Sequence, residues 1–107
     1  MASQQTQQLL NQAQICQQQL QNVVQQKEAM SMQLVEIKKA LEEIEKTKDD
    51  VFKVSGPILI KTSKDDVRKD LEDKTEFMEL RVKTLEKSEQ KLKEQFEDFR
   101  EKLSKLS

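Results

Sequence analysis

The chain lacks several residue types on which enzymes and metal sites commonly depend. It has 107 residues, with no histidine, tyrosine or tryptophan and only one cysteine. No pair of Cys or His side chains therefore stands at metal-ligand spacing, and a single glycine cannot form a glycine-rich phosphate loop. Its many carboxylates recur on helix faces, where solvated or paired charge is the ordinary state. We expect no enzyme activity, no cofactor and no metal site.

Other absences bear on compartment and partners. The lone Cys16 excludes an internal disulfide and is typical of a reducing compartment. There is no charged segment followed by an apolar leader, and no apolar run approaches the length of a membrane span. The chain has 19 basic and 20 acidic residues, without a strongly basic block. We expect a soluble cytoplasmic protein with neither a nucleic acid nor a membrane as partner.

What the chain does contain is typical of coiled coils. Charged residues make up 36% of it and apolar residues 35%, while the only aromatic residues are four phenylalanines. Such a composition favours long helices that share a seam over a wide core. Residues 1–26 carry no charge and include 12 glutamines, which composition alone would class as a low-complexity tract. The length fits one domain spanning 1–107.

Periodicity assigns structure to both ends of the chain, including the glutamine-rich start. Apolar residues alternate at spacings of four and three from Leu9 to Ile44, and a similar series runs from Leu71 to Leu106. This heptad pattern predicts coiled-coil helices at about 4–47 and about 64–105. Ser63 and Asp66 have capping-box spacing and mark the start of the second helix.

A β-hairpin at about 51–62 is predicted between the helices. This stretch holds the only glycine, the only proline and the densest run of β-branched residues. Phe52, Val54, Ile58 and Ile60 share one face only if Val54 lies opposite Ile58, because side chains alternate along a strand. We predict that register, with a three-residue loop. A two-residue Gly-Pro turn would instead place Phe52 opposite Lys61.

An isolated hairpin is at best marginally stable, and its outer edges carry unpaired backbone groups. The sequence offers no third strand. We therefore expect hairpins from several chains to complete a shared sheet or barrel. The alternative is a hairpin that lies flat on its own helices.

Folding the chain back at the hairpin pairs the helices antiparallel and brings two charged seam residues to the same level. Lys27 is the one charge in the first heptad series, and Glu89 is the one charge in the second. We predict that they form an ion pair that fixes the helix register, as polar seam residues can. The alternative is that both long side chains reach out into water.

The same register brings small and large apolar residues together near the chain ends. Ala13 and Cys16 fall opposite Phe96, Phe99 and Leu103. One partner helix cannot cover the rings on all sides, so apolar surface should remain, and such patches commonly mark binding sites. An ordinary seam of small residues against large ones is the alternative. The cluster at this end comprises Leu9, Leu10, Ile15, Phe96, Phe99, Leu103 and Leu106.

Three stretches resemble the β-type subunits of prefoldin. They are the hairpin sequence VFKVSGPILIK at 51–61 with the acidic helix start after it, KTLEKSEQKL at 83–92, and KALEEI at 39–44. The resemblance implies a mainly α fold and a hexamer of two α-type and four β-type subunits. In such a hexamer the hairpins form a double β-barrel that carries six coiled-coil arms. It also implies an ATP-independent chaperone that grips unfolded proteins at the arm tips and delivers them to a group II chaperonin.

The resemblance also implies roles for particular residues. Assembly would fall to Phe52, Val54, Ile58, Leu59 and Ile60. Client binding would fall to Leu9, Leu10, Ala13, Cys16, Phe96, Phe99, Leu103 and Leu106. Chaperonin docking would fall to Glu94, Glu97, Asp98 and Glu101, although a solvated helix face explains these four charges equally well.

Two further functions fit the same residues. A structural coiled-coil tether would bind one specific folded partner, whereas a holdase acts on many unrelated non-native chains. A homo-oligomeric, filament-forming prefoldin-like protein would share the fold and differ in its assembly.

Overall fold

Two long helices flank a two-stranded antiparallel hairpin, as predicted. The computed structural model describes residues 3–106. In order, the elements are α1 (Gln4–Lys46), β1 (Val51–Ser55), β2 (Ile58–Thr62) and α2 (Lys64–Leu106). By contact density the chain divides into two compact units. We call Met30–Arg81 the hairpin unit, and we call the remainder, up to Ala29 and from Val82 onward, the terminal unit.

Serine side chains cap the first turn of both helices. The Oγ of Ser3 accepts a hydrogen bond from the backbone N–H of Thr6 at 3.1 Å, and Ser63 accepts one from Asp66 at the same distance. Each bond satisfies one of the backbone donors that a helix start leaves without a partner. The predicted start of α2 is therefore confirmed at its cap.

The heptad positions form the seam in each unit. Every predicted seam residue from Leu9 to Ile44 is buried or half-buried, as is every one from Leu71 to Leu103. Among the described residues, only Ala13, Cys16 and Leu85 are buried. Leu106, the last predicted seam residue, is exposed. The helices therefore share a narrow apolar stripe, which is what a two-helix coiled coil can bury.

The hairpin register differs from the predicted one. Val54 pairs with Leu59 and Phe52 with Lys61, so the turn has two residues, Gly56 and Pro57. Gly56 has φ of +57°, and proline fixes the next φ near −65°. That pair of signs suits a type II′ turn, whose twist matches that of antiparallel strands. The predicted three-residue loop was wrong because it assumed that Phe52, Val54, Ile58 and Ile60 share one face.

Side chains from α2 hold the end of α1 within the hairpin unit. Lys64 Nζ donates to the carbonyl oxygens of Glu45 and Thr47, both at 3.2 Å. Arg68 Nε lies 2.6 Å from Oε1 of Glu45, as an ion pair whose N–H is not aligned for a hydrogen bond. A cation at a helix C-terminus also complements the helix dipole. These contacts fix the helix ends from which the hairpin projects.

Candidate functional site

The hairpin presents apolar side chains on both of its faces. Directly paired residues of an antiparallel ladder point to the same side. Phe52, Val54 and Leu59 therefore share one face, while Ile58 and Ile60 lie on the other. All five are between 48% and 71% exposed, so the chain's own helices do not cover them. The predicted assembly residues thus form one uncovered, two-sided apolar surface.

The apolar residues predicted to bind clients lie in the terminal unit and differ in accessibility. Leu10 and Leu106 are exposed, and so is Ile15, which belongs to the same predicted cluster. Half-buried residues make up the rest of the accessible set, namely Leu9, Phe96, Phe99 and Leu103. Ala13 and Cys16 are only 7% and 4% exposed.

The burial of Cys16 follows from its contact with α2. Its Sγ donates to the backbone carbonyl of Leu92 at 3.3 Å, across the seam of the terminal unit. A helical carbonyl points along the axis toward the residue four positions later, so Cys16 lies near the level of Phe96. A bound chain can touch Cys16 only if the two helices separate.

A groove beside this apolar set is lined mainly by flexible polar side chains. It has a volume of about 450 Å³ and includes Leu9 and Leu106. Its other lining residues are Gln5, Gln8, Gln12, Lys102 and Lys105. Glutamine amides can donate and accept hydrogen bonds, and the lysine stems add apolar length. The groove therefore combines apolar residues with side chains that can donate and accept hydrogen bonds.

The four predicted docking carboxylates belong to two neighbouring grooves of the terminal unit. Glu94, Glu97 and Asp98 line one of about 720 Å³. Glu97 also lines a smaller one, of about 300 Å³, together with Glu101. Arg100 pairs with Glu97 at 3.2 Å within the same helix. The structure thus places these carboxylates on one accessible stretch of α2.

The predicted ion pair between the two seam charges is confirmed. Lys27 Nζ donates to Oε2 of Glu89 at 2.5 Å, and Lys93 approaches the other oxygen at 3.4 Å. The Lys27 and Glu89 side chains are 27% and 13% exposed. The hydrogen bond with Glu89 raises the pKa of Lys27. The same bond lowers the pKa of Glu89.

Neither a metal site nor a membrane span emerges from the part of the chain that the structure describes. No cluster of three or more His, Cys, Asp or Glu side chains in residues 3–106 could hold a metal ion. Over the same residues, neither helix is long and apolar enough to cross a membrane.

Sequence reasoning missed four exposed apolar residues in the hairpin unit. They are Met32, Val35, Phe77 and Leu80. All four lie outside the heptad seam, and that displacement from the apolar stripe was the signal that could have identified them.

These features define a class of protein: a two-helix coiled coil whose hairpin leaves large apolar side chains uncovered. The sequence matches the prefoldin subunit family over residues 7–107, and the chain belongs to that family.

Individual relatives agree with this assignment. The chain is 46% identical over 55 residues to prefoldin subunit beta of Methanococcus vannielii. The matched segment covers 51% of this chain and 49% of that protein. It has the same identity over 55 residues to the Archaeoglobus fulgidus subunit, covering 51% of this chain and 47% of that one. These matches span about half the length of the curated relatives.

Solved structures extend the likeness to nearly the whole chain. The crystal structure of the prefoldin beta subunit from Thermococcus strain KS-1 is 40% identical, with a TM-score of 0.88, and the match covers 97% of this chain and 94% of that one. The beta2 subunit of the same strain is 20% identical with a TM-score of 0.53, covering 91% and 98%, and supports the fold alone.

Proposed function

We propose that this chain is a β-type prefoldin subunit that acts as an ATP-independent holdase. In this proposal it assembles through its hairpin with α-type subunits into a hexamer of two α-type and four β-type chains. It works in the cytoplasm, where it binds non-native proteins and passes them to a group II chaperonin. It catalyses no reaction. The family match favours this function over that of a structural tether or a filament-forming relative.

The observation that carries the proposal is the exposed, two-sided hairpin. Five large apolar side chains lie uncovered on ten strand residues. Monomeric proteins rarely leave such a patch in water, and two strands alone are marginally stable. Neighbouring hairpins would cover both faces and pair the free edges at once. The surface therefore has the form expected of an assembly element.

Client binding is assigned to the accessible apolar residues of the terminal unit. Leu10, Ile15 and Leu106 would make the first contacts, with the half-buried leucines and phenylalanines behind them. Each chain offers only a small surface, so a single arm binds weakly. Several arms on one assembly raise the effective concentration at which a client meets the next arm. Holding a client thus depends on assembly.

The chaperonin step is assigned to the acidic stretch of α2. Glu94, Glu97, Asp98 and Glu101 are all exposed. They would dock a basic surface of the chaperonin, and the contact would weaken as salt rises. Replacing the four by glutamine should slow client transfer and leave aggregation suppression unchanged.

Removing the hairpin contacts tests the proposed mechanism. The variant Ile58→Asp/Ile60→Asp places two charges on one apolar face and should leave the chain monomeric by analytical ultracentrifugation. Suppression of aggregation of a chemically denatured test protein should then be lost. The matched control is Lys48→Asp, which reverses a charge in the adjoining loop, changes the net charge as much as the double variant does, and should assemble normally. Full suppression by a proven monomer would contradict the mechanism.

A further inference from the structure

The hairpin unit carries two apolar patches on its helices in addition to the hairpin itself. Met32 and Val35 on α1 are 68% and 52% exposed, and Phe77 and Leu80 on α2 are 66% and 61% exposed. Each pair is spaced three residues apart and therefore forms one contiguous patch on its helix. We call them the α1 patch and the α2 patch.

The two patches face away from each other. The α1 patch lies on the side of its helix opposite the seam residues Leu34 and Ile37, at 100° per residue. The α2 patch lies likewise opposite Thr75 and Met78. Each helix pair therefore presents one apolar patch on each of its two outer sides. Neither patch can reach the other within one chain.

The two patches adjoin in height along the helix pair, with Val35 and Leu80 at nearly the same level. Lys38 Nζ and Glu79 Oε1 are 3.2 Å apart and join α1 to α2 directly beside the patches. In an antiparallel helix pair, the residue numbers of two residues at the same level have a nearly constant sum. That sum is 117 for Lys38 and Glu79, and it is 115 for Val35 and Leu80. Two copies standing side by side at equal height would thus bring Val35 of one copy level with Leu80 of the other.

The charges beside the patches complement one another in the same arrangement. Glu36 of one copy would be level with Arg81 of its neighbour, and Lys39 with Glu76. All four side chains are exposed. An apolar centre with matched charges at its rim is the ordinary anatomy of a protein interface.

Interface size gives an independent reason for such a contact. A stable interface uses roughly 20–30 residues a side, or about 800 Å² per partner. The two strands supply ten residues, which must serve neighbours on both edges. Additional surface must come from the same unit, and the two patches are its large exposed apolar groups outside the hairpin.

We propose that the α1 patch of one subunit packs against the α2 patch of a second copy of this chain beside it in the assembly. The contact joins different surfaces, so it is heterologous and suits subunits arranged in a ring. It rests on the proposed assembly through the hairpin and adds a second, helical contact to it. Met32 and Phe77 would supply an adaptable thioether and an aromatic ring to the interface.

Cysteine cross-linking tests the pairing directly. One chain carries Val35→Cys and another Leu80→Cys, both with Cys16→Ala so that no other thiol is present. The two are mixed with each other and with an α-type subunit, then oxidised mildly. A covalent dimer should form in the mixture and not in either single-cysteine sample. Absence of the dimer from an assembled mixture, or equal dimer in each sample alone, overturns the proposed contact.

A second variant measures what the contact contributes. Phe77→Gln/Leu80→Gln should raise at least tenfold the concentration at which the complex dissociates. Ile15→Gln, an exposed apolar residue of the terminal unit, is the matched control and should leave that concentration unchanged. Normal assembly by the double variant with weaker aggregation suppression would make the patch a client surface and refute the contact. A wild-type chain that never assembles refutes the proposed function as well, which separates the two failures.

Discussion

At the scale of single residues, the ion pair between Lys27 and Glu89 is the main departure from an apolar seam. These half-buried unlike charges at one level penalise any shift of one helix along the other, because a shift would leave each charge without its partner. Lys93 adds a second cation to the same carboxylate, and Glu86 and Glu28 add weaker attraction for Lys27. We therefore predict that the pair sets the register of the terminal unit.

The pKa shifts give this pair a defined pH window. Glu89 has a pKa below its ordinary value of 4.5, so its contribution is present above that pH and is lost as pH falls through the lowered pKa. Lys27 has a pKa above its ordinary value of 10.5, so its contribution is present below that pH and is lost as pH rises through the raised pKa. The pair stabilises the fold fully between those two limits.

Glu89→Gln should therefore lower the Tm at pH 7, and the deficit relative to wild type should shrink as pH falls below about 4.5. Circular dichroism melts across this range measure both effects. Glu94→Gln, at an exposed position of the same helix, is the comparison and should show little change. A deficit that stayed constant down to pH 2 would mean that charge pairing is not what stabilises this position.

Residue-scale features were predictable where they interrupted a pattern. Lys27 and Glu89 stand out because each is the one charge in an apolar series. The accessibility of Ala13 and Cys16 was not predictable in the same way, since a heptad position indicates which way a side chain points and not how deeply it is buried. Depth depends on the side chains facing them, and the large residues of α2 cover these small ones.

At the scale of elements, the hairpin is where sequence reasoning reached its limit. The strands and the position of the turn were predicted from β-branched residues and from the Gly-Pro pair, whereas the predicted three-residue loop was wrong. The register was not predicted correctly, because the same sequence pattern fits two hairpins. One has a longer loop and a single apolar face, and the other has a tight turn and apolar residues on both faces. The turn geometry decides between them. Gly56 with positive φ followed by proline closes the shorter loop.

Gly56→Ala tests the importance of that turn. No atom lies within 4 Å of an added Cβ, so the cost comes from backbone conformation alone. A backbone conformation with positive φ costs an L-residue about 1–3 kcal/mol, and the variant chain should lose stability by that amount in urea titrations. Ser55→Ala, in the adjacent strand, is the control. Wild-type stability in Gly56→Ala would mean that the turn can adopt another geometry at no cost.

At the scale of the whole molecule, the exposed apolar side chains have distinct assignments. Those of the hairpin are assigned to assembly, those of the helix flanks in the hairpin unit to lateral contact, and those of the terminal unit to clients. Variants of the terminal-unit set should therefore leave assembly intact, whereas hairpin variants should also lose client holding because holding depends on assembly. The family was recognisable from sequence because the hairpin motif is specific, whereas heptads alone are shared by many coiled coils.

The client surface has its own prediction. Leu10→Gln/Ile15→Gln/Leu106→Gln should assemble normally and need roughly tenfold more complex for half-maximal suppression of aggregation, because each factor of ten corresponds to about 1.4 kcal/mol of binding free energy. Light scattering measures the suppression and ultracentrifugation the assembly. Gln19→Ala, on the polar side of α1, is the control. Unchanged suppression by the triple variant would place the client contacts elsewhere.

The most direct test of the central claim is light scattering of a chemically denatured protein diluted into nucleotide-free buffer. Three samples are compared: the test protein alone, with this chain, and with this chain mixed with an α-type subunit. Suppression should be strongest in the mixture and accompany a hexamer-sized species, and it should extend to several unrelated test proteins. An assembled complex that suppresses none of them would contradict the holdase function.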